Sequence, residues 1–249
     1  MSVAAARAAA HVCHIGAVGP DGKWAIDRLT EYGVDTRFIA VSDDPTGHAI
    51  IAVDDGGENQ IILYPGANRA ISEDEIGLAL SQAQAGDLLL MQNETNAQQH
   101  AAELGRKLGL KVCYAAAPFD ADAVTKVLPY LDFLILNEVE AEQLQQATGL
   151  NPDQLPVPLV VVTLGARGAR LFDTNKAHSA DFEAVPVTPV DTTGAGDTFT
   201  GYVLAGMDRG MPVEQAIKLA SRAAALMVTR HGTADVIPDL KEVQSATFG

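Results

Sequence analysis

Residues 191–199 read DTTGAGDTF, a glycine-containing turn that leads directly into a predicted helix. Gly194 and Gly196 carry no side chain, so backbone N–H groups at this turn can approach an anion closely. The helix adds about half a positive charge at its N-terminus. Asp197 stands in the first helical turn, where a carboxylate either caps the helix or accepts a proton from an attacking alcohol. The combination predicts an anion-binding turn with a catalytic base, and a strand–turn–helix unit.

The chain before this turn alternates between short apolar runs and segments with helical spacing. Runs that are apolar throughout are typical of strands buried on both faces, and their alternation with helices predicts right-handed βαβ units. We therefore predict an α/β fold, a doubly wound and mostly parallel sheet with flanking helices. The predicted strands are 88–91, 112–115, 133–136 and 159–163, and the predicted helices between them are 72–83, 96–108, 120–130 and 138–147.

The remaining segments extend this pattern to both ends. Helical spacing predicts helices over 2–10 and 22–33, with a strand over 11–18 between them, and a long helix from Val213. Two alternating segments, 46–53 and 59–65, flank the sequence DDGGE, which favours a β-hairpin. We expect one domain over residues 1–249, with residues 46–66 as a small partial β lid.

The composition excludes several kinds of partner. The chain has 249 residues and a formal net charge of −15, which disfavours nucleic acid. No apolar stretch approaches the roughly 20 residues needed to cross a bilayer, and we expect a cytoplasmic protein. Cys13 and Cys113 lie in apolar runs, which favours two buried, reduced thiols.

The motif DTTGAGDTF resembles the C-terminal signature of the ribokinase-like carbohydrate kinases of the phosphofructokinase-B type. The resemblance covers essentially the whole chain and implies an ATP-dependent kinase that phosphorylates a small sugar. It implies that Asp197 is the catalytic base and also contacts the substrate. It also implies an anion hole formed by Gly194, Ala195 and Gly196.

A second motif, Asn137-Glu138-Val139-Glu140, follows the predicted strand 133–136. Asn137 and Glu140 are three residues apart and so share one face of the helix start. Mg²⁺ prefers oxygen ligands and keeps most of its waters. The resemblance implies that this N-x-x-E pair organises Mg²⁺ and the phosphates, mainly through water. Without the resemblance, the acidic residues would be interpreted as a solvated helix face.

A third motif concerns the nucleotide. TLGARG at 163–168 is similar to the family's nucleotide-contacting turn, and Ser221 matches a helix position beside adenine. The resemblance therefore implies ATP contacts by Thr163, Gly165, Arg167, Gly168 and Ser221.

The family also suggests a K⁺ site beside the anion hole. Its ligands would come from the segments before the anion hole and after the long helix: Asp191, Thr193, Met227, Arg230 and Gly232. Val236 stands where the family usually has a serine side chain, and this departs from the K⁺ pattern.

The segment from Gly47 to Asn68 resembles the lid of this family, and Glu94 matches a glutamate near the sugar. These matches favour ribose as substrate, with fructose, ketodeoxygluconate or a nucleoside such as adenosine as alternatives. Lid sheets in the family often pack against a second subunit, so a homodimer through the lid strands is expected.

By this resemblance the chain starts within the family's first helix. We then expect it to lack one core strand, part of the lid and the G-G-x-x-x-N sugar motif. A truncated paralogue that binds ATP but phosphorylates nothing is the alternative to the enzyme.

Overall fold

A computed structural model of the chain describes residues 1–53 and 59–248. Most of its helices follow the predicted positions with shorter ends, whereas α6 ends one residue later than predicted and α9 was not predicted. They are α1 (Ser2–Arg7), α2 (Lys23–Glu31), α3 (Glu73–Leu80), α4 (Gln98–Lys107), α5 (Ala121–Val127), α6 (Glu138–Thr148), α7 (Ala195–Asp208), α8 (Val213–Val228) and α9 (Leu240–Ser245).

The strands form one large sheet and two strand pairs. They are β1 (Cys13–Val18), β2 (Asp35–Val41), β3 (His48–Val53), β4 (Asn59–Tyr64), β5 (Leu88–Gln92), β6 (Lys111–Ala115), β7 (Phe133–Asn137), β8 (Leu159–Thr163), β9 (Ala169–Asp173) and β10 (His178–Phe182). The large sheet has the order β10-β9-β8-β7-β6-β5, and β5 to β8 are parallel. The mostly parallel sheet with flanking helices confirms the predicted fold class.

Two features of the sheets were not predicted. β2 pairs in parallel with β1 as a separate two-stranded sheet, and β9 and β10 extend the large sheet as antiparallel strands. The prediction of two buried cysteines is wrong for Cys13, which is exposed at the start of β1, whereas Cys113 is buried in β6. An apolar run is buried only where neighbouring elements cover it. Among the described residues β1 has a paired strand on one side only, so the start of β1 stays exposed.

The predicted hairpin is confirmed in its strands. β3 and β4 pair antiparallel, with Ile50 opposite Ile62 and His48 opposite Tyr64. The predicted turn at 54–58 lies outside the described residues. Ile62, Leu63 and Tyr64 are exposed although they are apolar or aromatic, so this pair presents an apolar surface.

The core lies on both faces of the large sheet. One cluster joins α1, α7 and α8 to β6–β9, and the other joins α3, α4 and α5 to the opposite face. Gly201 lets α1 approach α7, because a Cβ there would lie 2.6 Å from Ala4 Cβ. Among the described residues, no helix is both long and apolar enough to span a bilayer.

Candidate active site

The start of α7 presents unpaired backbone donors. Gly194 has φ +80, a left-handed conformation that favours glycine, and no side chain caps the helix. The amide of Ala195 donates to the Thr192 carbonyl at 3.2 Å, whereas the amides of Gly194, Gly196 and Asp197 have no acceptor among the described residues. These three N–H groups at a helix N-terminus form a site for an anion.

This set differs from the sequence expectation at one position. Ala195 was expected in the anion hole, but its N–H is used inside the turn. The amide of Asp197 takes its place as a free donor. The reason is the turn before the helix, because the hydrogen bond from the Ala195 amide to the Thr192 carbonyl closes that turn.

The turn rests on a buried methionine. Met227 in α8 is 1% exposed, and its Cε would lie 3.0 Å from a Cβ at Gly194. The hydroxyl of Thr198, which is fully buried, donates to the Met227 sulfur at 2.7 Å. Met227 therefore positions the Gly194 turn relative to α8 by direct packing. The sequence did not indicate this positioning role.

The carboxylate of Asp197 is attached to a helix whose next residues are buried. Its side chain is 46% exposed, and the amino group of Met1 lies 3.7 Å from Oδ1. The residues that follow it, from Thr198 to Gly206, are buried in the core. The carboxylate is therefore held accessible beside the free amides, as a base for an attacking alcohol requires.

Asp191 ties this turn to the loop after α8. Its Oδ1 accepts the amide of Thr193 at 2.9 Å, and its Oδ2 accepts the amide of Gly232 at 3.3 Å. The hydrogen bonds from Thr193, followed by the one from Gly232, hold the pKa of Asp191 below its usual value. The structure thus brings together the segments expected to bind K⁺.

Several of these groups also take part in hydrogen bonds within the protein. The Met227 carbonyl accepts the Arg230 amide at 3.0 Å, and both Asp191 oxygens are occupied by N–H groups. The Arg230 guanidinium donates to the carbonyl of Val236, and the side chain there is apolar. Each of these oxygens can accept a further contact, so the departure from the family's K⁺ pattern is the apolar side chain of Val236.

Asn137 and Glu140 lie together at the start of α6, at the carboxyl end of β7. The Asn137 side chain accepts the Glu140 amide at 2.9 Å, and a Glu140 carboxylate oxygen accepts the Asn137 amide at 2.7 Å. This reciprocal pair is a capping box, a structural role that explains the spacing by itself. Strand pairing places Asn137 opposite Thr163 of β8.

The chemistry of this pair suits a weakly held Mg²⁺. Glu140 has a second carboxylate oxygen without a bond to the cap, and burial raises the pKa of this carboxyl. The described residues contain no cluster of three His, Cys, Asp or Glu side chains that could hold a metal. A single carboxylate fits an ion that keeps several waters and binds mainly to phosphates.

The TLGARG turn is a tight connection between β8 and β9. The Leu164 amide donates to the Gly168 carbonyl, and the Gly168 amide to the Gly165 carbonyl. Gly168 has φ +100, and a Cβ there would lie 1.9 Å from the Phe182 carbonyl oxygen. Only glycine fits this position, so a structural requirement accounts for Gly168.

Other predicted contacts fall on the same edge of the sheet or on nearby elements. Arg167 reaches Glu138 with a guanidinium–carboxylate pair of 2.5 Å. Ser221 in α8 is half-buried, and its hydroxyl donates to the Ile217 carbonyl at 3.0 Å. Glu94 lies after β5, exposed and on the wall of the cleft between β1 and β5.

Comparison with known proteins places these features in a family. The profile described as pfkB family carbohydrate kinase matches residues 1–240. The chain belongs to this family. The match confirms the family predicted from DTTGAGDTF.

Individual pfkB relatives share both sequence and fold with the chain. Ribokinase from Haemophilus influenzae is 34% identical over 257 residues, covering 97% of this chain and 83% of that protein. The structure of Thermotoga maritima ribokinase has a TM-score of 0.84 at 30% identity, covering 98% of this chain and 84% of that one. Arabidopsis thaliana ribokinase complexed with ribose and ATP has a TM-score of 0.83 at 28% identity, with coverage of 98% and 84%.

Proposed function

We propose that this pfkB-family protein is a sugar kinase that transfers the γ-phosphate of ATP to a hydroxyl of ribose. The observation that carries the proposal is the start of α7, where an exposed carboxylate stands beside unpaired helix amides. Its similarity to ribokinases, one of them in complex with ribose and ATP, supports the substrates.

The chemistry follows from the groups at this turn. The sugar hydroxyl oxygen forms a bond to the γ-phosphorus while the bond to the bridging oxygen of ADP breaks. The hydroxyl proton passes to the Asp197 carboxylate. The amides of Gly194, Gly196 and Asp197 stabilise the negative charge on the transferring group. Mg²⁺, when bound near Glu140 through water, neutralises phosphate charge.

The nucleotide is proposed to lie along the carboxyl ends of β7 and β8. Asn137 and Thr163 are paired across these strands, and Arg167 and Ser221 flank the same region in the predicted scheme. Glu94 is proposed to contact the sugar from the loop after β5. The proposed mechanism does not depend on K⁺.

The assembly and location are also proposals. The exposed apolar surface of the β3–β4 pair, which includes Ile50, Ile62 and Leu63, supports a homodimer through the lid strands. A cytoplasmic site of action agrees with the need for ATP.

A coupled assay of ADP release tests the proposed activity. With ribose, ATP and Mg²⁺, we expect ribose-dependent ADP formation with a kcat on the order of 1–100 s⁻¹. Fructose, ketodeoxygluconate and adenosine serve as competing substrates. ATP binding by calorimetry without turnover on any of them would instead support the non-catalytic alternative.

Substitution of Glu140 separates the capping role from a metal role. Glu140→Gln retains an oxygen for the Asn137 amide but removes the charge. We expect it to raise the Mg²⁺ concentration needed for half-maximal activity about tenfold or more. Because burial raises the folded-state pKa of Glu140, its stabilising contribution is present below the usual pKa of about 4.3 and is lost as pH rises. The free energy of unfolding at pH 7 should therefore be unchanged or slightly higher in the Gln variant.

Glu140→Ala is the matched control, because it removes the cap as well as the charge. We expect it to lower the free energy of unfolding by about 0.5–2 kcal/mol. If the Gln variant kept the parent's Mg²⁺ dependence, Glu140 would be only a capping residue.

A further inference from the structure

Residues 229–236 form a loop that follows α8 and passes beside the anion-binding turn; we call it the post-α8 loop. It starts at the end of α8 and returns to the core at Ile237, which is buried. In its middle, the amide of Gly232 donates to one oxygen of the Asp191 carboxylate, and the other oxygen accepts the Thr193 amide. A shift of this loop would therefore displace Thr193, at the start of the anion-binding turn.

Helix α2 holds the other side of the post-α8 loop through one carboxylate. The Asp235 Oδ1 accepts hydrogen bonds from the Arg28 guanidinium and from the Tyr32 hydroxyl. The helix is itself fixed, because Leu29 and Tyr32 pack against the core cluster that contains α7 and α8. The loop thus lies between Asp191 on one side and the donors of α2 on the other.

The two donors of α2 are held in place before they bind Asp235. Arg28 donates from Nη1 to Glu31 at 2.7 Å, and its guanidinium lies 4.9 Å from the centroid of the Tyr32 ring. A single exposed ion pair contributes little, because long side chains lose conformational freedom when they pair. That loss is smaller here, since the bond to Glu31 and the stacking already orient Arg28. Two donors on one carboxylate also form a network rather than an isolated pair.

Packing within the loop connects Asp235 to Gly232. Asp235 lies in the short 3₁₀ turn Ala234–Val236. Val236 packs against Gly232, since a Cβ at Gly232 would lie 3.3 Å from Val236 Cγ1. Gly232 has φ +121, a conformation that glycine adopts without strain. Contacts therefore run without a gap from α2 through Asp235, Val236 and Gly232 to Asp191.

We propose that Asp235 is a positioning residue for the anion-binding turn, which it keeps in place from α2 through the post-α8 loop. This inference rests on the proposed function, in which the amides of that turn stabilise the transferring phosphoryl group. Asp235 acts through Gly232 and Asp191, and a small displacement of a catalytic group lowers the rate even when its cause is remote. Because both partners on α2 are donors, residue 235 must supply an acceptor, and a carboxylate is the strongest one.

The variant Asp235→Ala tests the proposal in the full chain, with amide hydrogen exchange followed residue by residue by NMR. The amides of Thr193 and Gly232, which both donate to Asp191, are the reporter amides. They should exchange about three- to tenfold faster than in the parent, because the loop loses its contact with α2. Amides of the interior strand β7 should keep the parent's rates. The kcat with ribose should fall about three- to tenfold, without a change in the KM for ribose.

The matched control is Asp181→Ala. Asp181 pairs with Arg170, and these side chains are 63% and 49% exposed, close to the 66% and 51% of Asp235 and Arg28. This control should change neither the reporter amides nor kcat. Asp235→Glu keeps a carboxylate and should retain the parent's exchange rates and kcat. Tyr32→Phe removes one of the two donors and should give exchange rates between those of the parent and Asp235→Ala.

Two results would overturn the proposal. Equal exchange of the reporter amides in Asp235→Ala and Asp181→Ala would show that α2 does not hold the post-α8 loop. Faster exchange with an unchanged kcat would show that Asp235 fixes the loop but does not position the turn. A parent chain without turnover would contradict the proposed function instead, and exchange of the Thr193 amide would then still decide whether α2 holds the turn.

Discussion

Replacement of Asp197 by asparagine should reduce sugar phosphorylation at least a hundredfold while leaving ATP binding intact. The amide side chain keeps the size and position of the carboxylate but cannot take a proton from the attacking hydroxyl. A positioned general base contributes about 10²–10⁴-fold to a rate, so kcat should fall by that factor. The Kd for ATP, measured by calorimetry, should stay within about twofold, because the free helix amides remain.

Asp208 provides the matched control for this substitution. It is the last residue of α7, exposed at the opposite end of the helix from Asp197. Asp208→Asn removes the same charge from the same helix and should leave kcat unchanged. If Asp197→Asn retained the parent's turnover, the base would have to be another group, and the carboxylate of Asp197 would only complement the positive end of the α7 dipole.

The interior strands could be predicted from the sequence because burial on both faces leaves a continuous apolar run. The run predicted at 133–136 corresponds to β7, and that predicted at 159–163 corresponds to β8. β2 was missed because its seven residues, DTRFIAV, begin with polar side chains and lie half-exposed beside a single partner strand. The pattern of such a strand depends on which neighbours cover it.

The sequence predicted only part of the site, for a different reason. The spacing of Asn137 and Glu140 predicts that they share a helix face, and the structure confirms this. However, the same spacing is that of a capping box, so the sequence cannot separate a metal role from a local structural one. The contact of Met227 with Thr198 joins residues 29 apart in different helices. Such contacts depend on how α7 and α8 pack, which no local pattern contains.

Alanine at Gly196 should reduce catalysis without reducing stability. A Cβ at Gly196 would meet nothing within 4 Å, and its backbone is not in the left-handed region. The methyl group therefore extends into open space beside the free amides, where the transferring phosphoryl group is proposed to lie. The N–H of residue 196 remains, but the methyl group would keep the phosphoryl group from reaching it. Loss of one such donor contact typically costs 10²–10³-fold in kcat, and we expect a loss of about 10²-fold. The Tm should be unchanged or slightly higher, since alanine favours helix.

The neighbouring Gly194→Ala should behave differently, and the contrast tests the geometry of the turn. Gly194 has φ +80, and its new Cβ would approach Met227 Cε at 3.0 Å. The left-handed conformation costs alanine about 1–2 kcal/mol, so the Tm should fall by about 2–8 °C together with activity. Gly77→Ala is the control, a helical glycine in α3 with open space around its Cβ. It should leave activity unchanged and raise the Tm slightly, because alanine favours helix. An active Gly196→Ala enzyme would show that the anion does not bind at these amides, and the proposed charge stabilisation would have to come from elsewhere.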